Sequence, residues 1–189
     1  MLASWRNQIG NRWRIRPYSS KNLVSDAMDP IDLAIIDQLQ RNGRIANNEL
    51  AERVGLSPSP CLRRVRQLER DAVISGYTAI IDRSAVGRSY EPLVWVTLAA
   101  ITRSSMTEFE SAAAKIPDVI EVLRMMGQPD YLLRVATKDA ETFETLYIDR
   151  LASLPYVQTL TSQIAMKVVK RTTHLPVVPE RPRRTNKHA

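Results

Sequence analysis

Four arginines and two Ser-Pro pairs crowd into one short stretch of the chain, GLSPSPCLRRVRQLER, which covers residues 55–70. A guanidinium group presents several N–H donors in a fixed fork, so it suits a phosphate or the edge of a guanine base. Proline is tolerated in the first turn of a helix, and either Ser57 or Ser59 can be the N-cap here; the sequence leaves both registers open. Both registers place three arginines on one face, away from the apolar positions: Arg63, Arg66 and Arg70.

Two shorter helices are predicted upstream of this arginine-rich helix. In DPIDLAIIDQLQRNG, Asp29 is the expected N-cap, Pro30 is the first helical residue, and the inward stripe is Leu33, Ile36 and Leu39. In NNELAERVG, Asn47 is the expected N-cap, and the inward residues are Leu50, Ala51 and Val54. The turn VGLS between the second and third helices has the length and the glycine of a helix-turn-helix. We therefore predict a helix-turn-helix DNA-binding domain of the winged-helix-like type over residues 28–75.

The second helix of such a motif fits the major groove of double-stranded DNA, and its first residues reach the base edges. The residues expected near the bases are Ser59, Pro60 and Arg63, and Ser57 is also expected to contact the DNA. Those expected mostly on phosphates are Arg64, Arg66 and Arg70. The helix is expected to turn Leu62, Val65 and Leu68 inward, with Cys61 as a small packing residue. The alternative is that the arginines form a solvated face paired with acids of neighbouring helices, because charged stripes are common on amphipathic helices.

The composition is that of a soluble globular protein, since 44% of the 189 residues are hydrophobic and 25% are charged. The formal charge of +7 comes from the two ends, because residues 28–179 hold 18 basic and 18 acidic side chains. Any basic surface in the folded part must therefore be local. The basic residues 1–27 and 177–189 are predicted to be a disordered arm and a disordered tail.

The rare residue types exclude several kinds of site. With one cysteine and two histidines in the sequence, neither a disulfide framework nor a Cys/His zinc site can be assembled within one chain, and no metal or cofactor is expected. The longest apolar run, Leu93 to Ile101, is too short to cross a bilayer. Residues 1–27 lack the apolar segment of a secretory signal. We expect a cytoplasmic protein with no membrane contact.

After residue 75 the hydrophobic pattern changes from helical to alternating. GYTAIID predicts a strand in which Tyr77, Ala79 and Ile81 share a face, within a connecting strand and linker over residues 76–90. Residues 91–176 then read strand, helix, strand, strand, helix, strand: PLVWVTLAAI, SMTEFESAAAKI, VIEVLRMM, YLLRVAT, DAETFETLYIDRLASL and VQTLTSQIAMKVVK. This order predicts a ferredoxin-like βαββαβ domain, so the chain is of the α+β class. The outer surfaces of the strands at Leu93–Leu98 and Ile164–Val169 are expected to bury against a partner chain.

The stretch from Met28 to Gly87 resembles the DNA-binding domain of the Lrp/AsnC family, the leucine-responsive or feast/famine regulators. The shared frame is D..D..I...L..NGRI...ELA..VGLS.S.C..R...L....VI.GY.A..D....G. With the order of elements that follows, the resemblance covers residues 28–176. It implies a prokaryotic, sequence-specific transcription regulator that forms a homodimer through its ferredoxin-like domain and often assembles into octamers. It also implies a small-molecule effector, commonly an amino acid, bound between subunits.

The same resemblance places the effector site at the turn GQPDY, which consists of Gly127, Gln128, Pro129, Asp130 and Tyr131. In such a turn Asp130 can hold the ammonium group of a zwitterion while backbone N–H groups take its carboxylate. Two hydroxyl-rich family positions on the last strand correspond to Leu160 and Ser162, and Leu160 removes one polar contact. The alternative is an ordinary β-turn between two strands, for which glycine, proline and aspartate are common.

Ala72 differs from the family pattern, as Leu160 does, because the family usually has glycine directly after the third helix. If this position needs a positive φ, alanine is strained there by about 1 kcal/mol. Alternatively, Asp71 or a shifted helix end makes the turn.

Two other functions stay open on the sequence alone. Siroheme decarboxylases share the two-domain architecture, but tetrapyrrole chemistry is expected to need proton donors such as histidine, and residues 28–179 contain only His174. We therefore do not expect an enzyme. A DNA-architectural protein of low sequence preference is the other alternative, because an octamer with basic ends can wrap DNA through phosphate contacts.

Overall fold

The structure is a computed structural model that describes residues 28–177. The predicted arm lies outside the described residues, and so does the predicted tail except for Val177. The described chain divides into two compact units: residues up to Ala79 together with the segment from Thr172, and Ile80–Arg171. The sequence predicts residues 172–176 in the ferredoxin-like domain, whereas hydrogen bonds group them with the N-terminal unit. None of the helices in residues 28–177 is long and apolar enough to cross a membrane.

The N-terminal unit starts with two helices, α1 (Pro30–Arg41) and α2 (Asn47–Arg53). Asp29 caps α1 as predicted, since its carboxylate accepts a hydrogen bond from the Ile31 N–H at 2.8 Å. The N-cap of α2 is Ala46 and not Asn47, so that prediction is wrong. The side-chain amide of Asn47 instead donates to the Pro58 carbonyl at 2.9 Å, at the start of the next helix.

The third helix, α3, spans Pro58–Arg70 with Ser57 as its N-cap, which decides between the two registers that the sequence leaves open. The Ser57 side chain makes no capping hydrogen bond. Asp71 is the C-cap with a φ of −77°, and Ala72 follows with a φ of 56°. The left-handed conformation is therefore taken by the alanine itself, and Asp71 does not make the turn in its place.

The core of this unit consists of five buried residues: Ile35, Leu50, Ala51, Cys61 and Leu68. Cys61 is a packing residue, as predicted. In α1 the innermost residue is Ile35, which the predicted stripe omits, and Leu33 is only half-buried. In α3 the prediction for Leu62 is wrong, because the helix turns Cys61 and Leu68 inward and leaves Leu62 38% exposed on its flank.

Four strands, β1 (Pro92–Leu98), β2 (Val119–Arg124), β3 (Tyr131–Val135) and β4 (Val157–Ile164), form the sheet of the second unit. The sheet is antiparallel, with the order β2-β3-β1-β4. Helix α4 (Arg103–Ala113) connects β1 to β2. Helix α5 (Ala140–Leu146), continued by a π-helical turn at Tyr147–Leu151, connects β3 to β4. This is the predicted ferredoxin-like βαββαβ arrangement.

Alternation along β1 gives the sheet two different faces. Val94, Val96 and Leu98 are buried in one core with helix residues such as Phe109 and Phe143. The residues between them, Leu93, Trp95 and Thr97, are half-buried on the other face. Directly opposed residues of antiparallel strands share a face, so Thr159 and Thr161 of β4, which pair with Thr97 and Trp95, lie on this outer face.

Two segments predicted as strands are not strands. Over residues 76–82 the backbone pairs with no strand of the described chain, and β4 ends at Ile164 instead of continuing toward Lys170. The partner of Ile164 is Pro92, the first residue of β1, so within residues 28–177 β4 has no neighbouring strand beyond that point. Both segments leave apolar side chains exposed, including Ile80 and Met166. An alternating pattern predicts an extended chain but not the neighbouring strand that its backbone groups require.

Candidate nucleic-acid interface and small-molecule site

The outer face of α3 carries three exposed arginines, as predicted: Arg63, Arg66 and Arg70. Within residues 28–177 neither Arg63 nor Arg66 forms an ion pair. Arg70 donates a hydrogen bond to the side-chain oxygen of Gln67 at 2.6 Å, which leaves its charge unneutralised. Exposed guanidinium groups of this kind are available to phosphate or to a base edge.

The start of α3 offers side-chain donors more than backbone donors. Ser57, Ser59 and Pro60 are exposed there, as contacts to DNA would require. Proline has no N–H, so among the first three helical positions only Ser59 keeps a backbone donor. The Cys61 N–H is already bonded to the Ser57 carbonyl at 3.2 Å. The donors left for a ligand at this end are therefore mainly the serine hydroxyls and Arg63.

Arg64 is placed differently from the other arginines of α3. Its Nη1 lies 2.9 Å from Asp32 Oδ1 and 2.8 Å from Asp29 Oδ2. Hydrogen bonds to Asp32 and Asp29 raise the pKa of the guanidinium. The alternative of an arginine paired with acids of a neighbouring helix thus holds for Arg64, which fastens α3 to the start of α1. Arg66 and Arg70 remain the candidates for phosphate contacts.

The turn between α2 and α3 fixes how α3 leaves the core. Gly55 takes a φ of 71°, a left-handed conformation that glycine adopts without strain. The Leu56 N–H then donates to the Ala51 carbonyl at 2.8 Å and closes the end of α2. The Asn47 amide holds the Pro58 carbonyl from the other side. The two helices are therefore joined by the short, bonded turn of a helix-turn-helix.

In the second unit, the turn from Gly127 to Tyr131 is fastened to β1 through Asp130. The Asp130 N–H donates to the Val96 carbonyl at 2.9 Å, and its carboxylate Oδ2 accepts from the Leu98 N–H at 2.8 Å. Asp130 is 8% exposed. One carboxylate oxygen is thus committed to the fold, and only the other is left for a ligand.

Tyr131 is buried beneath this turn and belongs to a polar network with α4. Its hydroxyl donates to Glu110 Oε1 at 2.8 Å, and Arg124 Nε donates to the same oxygen at 2.8 Å. Burial, together with the hydrogen bond to Glu110, raises the pKa of Tyr131 to about 12. Tyr131 therefore stays neutral at physiological pH and is a structural residue of the predicted site, whereas Arg124 is held at its edge.

Among the residues that the structure describes, one cavity lies on each side of the turn. The turn cavity, of about 290 Å³, is lined by Leu98, Ile101, Met106, Arg124, Met125, Gly127, Gln128, Asp130 and Tyr131. The sheet cavity, of about 450 Å³, lies on the outer face and is lined by Trp95, Thr97, Gln128, Pro129, Thr159, Thr161 and Gln163. All five residues of the predicted turn therefore line one cavity or the other, and Gln128 lines both. The turn cavity is mainly apolar, with one cationic and one anionic side chain.

Comparison with known proteins assigns both units. Residues 28–74 match the family described as winged helix-turn-helix DNA-binding, and residues 92–175 match the Lrp/AsnC ligand binding domain. The leucine-responsive regulatory protein of Klebsiella pneumoniae is 37% identical over 158 residues, which are 84% of this chain and 96% of that protein. The chain belongs to the Lrp/AsnC family of transcription regulators.

Other members of the Lrp/AsnC family agree with this assignment. The leucine-responsive regulatory protein of Escherichia coli K12 is 36% identical, over 84% of this chain and 96% of that protein. A transcriptional regulator of Neisseria meningitidis, solved in complex with L-Met, superposes with a TM-score of 0.76 at 35% identity, covering 79% of this chain and 97% of that one. An AsnC family regulator of Agrobacterium tumefaciens has a TM-score of 0.75 at 33% identity, with the same coverage.

In this Lrp/AsnC chain the two predicted positions on the last strand do not join the turn. Leu160 and Ser162 pair with Val96 and Val94, whose side chains point to the buried face. Leu160 packs against the core, and its carbonyl accepts a hydrogen bond from the Tyr147 hydroxyl at 3.2 Å. Neither residue lines a cavity beside the turn. The hydroxyls on the outer face are those of Thr159 and Thr161, which line the sheet cavity and lie one residue away in each case, and strict alternation from the half-buried Leu160 could have identified that face.

Proposed function

We propose that this Lrp/AsnC regulator binds duplex DNA with α3 in the major groove, with Arg63 at a base edge and Arg66 and Arg70 on phosphates. The observation that carries the proposal is the contrast within one helix: Arg64 is neutralised by two aspartates, whereas Arg63 and Arg66 are exposed and unpaired within residues 28–177. Residues 28–179 carry equal numbers of basic and acidic side chains, so this is a local concentration of free positive charge, as a polyanion requires.

We propose a homodimer as the DNA-binding form. One recognition helix covers only a few base pairs, and two helices related by a two-fold axis read half-sites about one helical turn apart. The outer face of the sheet supports this proposal, because Leu93, Trp95 and Leu132 are only half-buried there. Burying such a face against a second copy would remove apolar surface from water. A partner subunit would also cover the sheet cavity, which opens on that face.

For the effector we propose an amino acid with an apolar side chain, bound in the turn cavity. Leu98, Ile101 and Met106 offer the apolar surface. The free oxygen of Asp130 suits an ammonium group, and Arg124, whose Nη1 makes no hydrogen bond within residues 28–177, suits a carboxylate. The relatives support this proposal: the Klebsiella pneumoniae regulator is named as leucine-responsive, the Neisseria meningitidis regulator was solved in complex with L-Met, and both amino acids are apolar.

An enzymatic function finds little support. The relatives are named as regulators of transcription. The histidine that a tetrapyrrole enzyme would need, His174, belongs to the N-terminal unit and lies 2.9 Å from Asp37 of α1, so it is not a residue of either cavity. An absorbance scan of the purified protein tests this point, because a bound tetrapyrrole would be visible. We place the regulator in the cytoplasm, with the DNA that it binds.

The decisive experiment is fluorescence anisotropy at physiological salt with the DNA upstream of the protein's own gene and with a scrambled control. We expect tighter binding to the upstream DNA, and we expect leucine or methionine to change that binding while aspartate or lysine does not. Equal binding to both DNAs would favour an architectural protein, because phosphate contacts alone do not distinguish sequences.

A further inference from the structure

Glu110 of α4 accepts three hydrogen bonds on a single carboxylate oxygen. Arg124 donates to Glu110 Oε1 from Nε at 2.8 Å and also from Nη2, and the Tyr131 hydroxyl donates to the same oxygen at 2.8 Å. Nε and Nη2 form one side of the guanidinium fork, so Glu110 holds Arg124 by that whole side. The third nitrogen, Nη1, makes no hydrogen bond within residues 28–177 and is free for a ligand.

The fold fixes the position of Glu110 independently of Arg124. The preceding residue of α4, Phe109, is fully buried, and its ring centroid lies 4.6 Å from that of Tyr131. Tyr131 of β3 pairs directly with Arg124 of β2, and directly opposed residues of antiparallel strands share a face. The packing of Phe109 on Tyr131 therefore brings Glu110 beside the end of β2, where Arg124 lies.

Arg124 itself is not fixed by burial. It is the last residue of β2, and its side chain is 53% exposed. A long side chain of this kind has many rotamers, and ordering it when a ligand binds lowers the affinity. Arg124 lines the turn cavity together with Met106, four residues before Glu110 on α4, whereas Glu110 does not line it. Glu110 can therefore influence a ligand in this cavity by holding Arg124, without touching the ligand.

We propose that Glu110 is a positioning residue of the effector site, which orients Arg124 so that its free Nη1 receives the carboxylate of an amino acid in the turn cavity. The inference rests on the proposed binding of an amino acid there and adds the residue that prepares recognition of its carboxylate. Without Glu110 the guanidinium would be ordered only when the ligand binds, which lowers the affinity. The charge of Glu110 acts in the opposite direction, because it repels a carboxylate. The sign of the effect of replacing Glu110 therefore shows which influence is larger.

The test is isothermal titration calorimetry of the full-length protein without DNA. The ligands are L-methionine and L-leucine, each compared with its own amide, which keeps the ammonium group and the side chain but lacks the carboxylate. Titrations at about pH 6.5 keep the α-amino group protonated, since its ordinary pKa is about 8. The ratio of the two affinities, amino acid over amide, measures how well the carboxylate is recognised.

Three variants are compared with the wild type: Glu110→Gln, Arg124→Ala and the combination of the two. Glutamine is chosen because its side-chain oxygen can still accept the hydrogen bond from the Tyr131 hydroxyl, so the packing of α4 on β3 is retained. Glu108→Gln is the control. Glu108 is exposed on the same helix and accepts a hydrogen bond from Ser104, not from Arg124.

We expect Glu110→Gln to weaken the binding of both amino acids by about 3- to 10-fold and to leave the binding of both amides as in the wild type, because the amides do not use the free Nη1. Arg124→Ala should weaken the binding of the amino acids by at least about tenfold. In the combined variant Glu110→Gln should add nothing, since Glu110 acts only through Arg124. Glu108→Gln should match the wild type with all four ligands.

Three results with Glu110→Gln would overturn the positioning role and leave the proposed effector site intact. An equal loss for each amino acid and its amide would show a structural role only. Tighter binding of the amino acids would show that the charge of Glu110 does no more than oppose the carboxylate. An unchanged ratio of amino acid to amide would show that Arg124 needs no support.

Results with the wild type bear on the proposed function itself. Wild-type protein that binds each amino acid no better than its amide would contradict the proposed contact between Arg124 and the carboxylate. Wild-type protein that binds neither methionine nor leucine would contradict the proposed effector. In both cases the role of Glu110 is contradicted as well, and the wild-type titrations distinguish these outcomes from a failure of the positioning role alone.

Discussion

At the scale of single residues, Arg63 and Arg66 are expected to have different partners although both are exposed on α3. Arg63 lies nearer the start of the helix, the end that reaches base edges. Arg63→Ala should relax the preference for one base pair in each half-site by about 1–3 kcal/mol, whereas Arg66→Ala should weaken binding on all sequences and reduce the salt slope by about 0.9 per half-site. Titrations with single-base variants of the DNA site measure both effects. Arg103→Ala is the control, because Arg103 is an exposed arginine of the other unit. Equal losses on selected and scrambled DNA for both variants would contradict this division.

Arg64 should behave unlike either of them. Because it is paired with Asp29 and Asp32, Arg64→Ala should lower the melting temperature by releasing α3 from the start of α1. DNA affinity should fall on all sequences, yet the salt slope should stay as in the wild type, since no phosphate contact is lost. Thermal unfolding and the salt titration measure the two quantities. A reduced slope at an unchanged melting temperature would mean that Arg64 binds phosphate after all.

The sequence alone could not have shown that Arg64 is paired with aspartates while the other arginines of α3 are free of ion pairs within residues 28–177. The amphipathic pattern of α3 predicts which arginines lie outside the apolar stripe, and for Arg63, Arg66 and Arg70 that was sufficient. The acids that neutralise Arg64 lie more than thirty residues upstream and reach it only through the packing of α1 on α3. The position of Leu160 away from the turn was missed for a related reason, because in a strand a shift of one residue moves a side chain to the opposite face.

At the scale of the elements, the end of α3 is strained by Ala72. Its φ of 56° is left-handed, which costs alanine about 1–2 kcal/mol, while glycine adds conformational freedom to the unfolded chain. Ala72→Gly should therefore raise the free energy of unfolding by about 0.5–1 kcal/mol. Urea denaturation measures this change, and Ala79→Gly, at an exposed position of negative φ, should lower the stability slightly. A loss of stability in Ala72→Gly would show that Ala72 contributes contacts that outweigh its strain.

The helices and strands were predictable to the extent that their signals are local. Asp29 with Pro30 marks the start of α1, and Asp139 caps α5 through the Thr142 N–H at 2.9 Å. Where an element depends on a partner, the prediction failed: β4 stops at Ile164 because β1 starts at Pro92. The hydrogen bonds between the Gln40 side chain and the Leu175 backbone were unpredictable for the same reason, since nothing in RTTHLP indicates a partner on α1.

At the scale of the whole molecule, the order of helices and strands and the resemblance to the Lrp/AsnC family predicted both units and the family. The remaining question is how an effector would alter DNA binding. A ligand shifts the equilibrium between two conformations of a protein only to the extent that it binds one conformation more tightly than the other. The turn cavity is the candidate for that difference, because its charged groups come from the turn and from β2. Asp130 holds the turn on β1, and in the proposed function it also offers its other oxygen to the ligand.

Asp130→Asn separates these two tasks. The amide oxygen can still accept the hydrogen bond from the Leu98 N–H, so the fold and the affinity for DNA without effector should be retained. The negative charge that pairs with an ammonium group is lost. The concentration of leucine or methionine needed to change DNA binding should therefore rise at least about tenfold, as expected for the loss of a charge-assisted bond worth roughly 1.5–3 kcal/mol. Anisotropy titrations with each amino acid measure the response. Asp149→Asn is the control, because Asp149 lies in the π-helical turn after α5 and lines neither the turn cavity nor the sheet cavity. If Asp130→Asn responds like the wild type, the effector binds elsewhere, and the sheet cavity beside Thr159 and Thr161 becomes the site to examine.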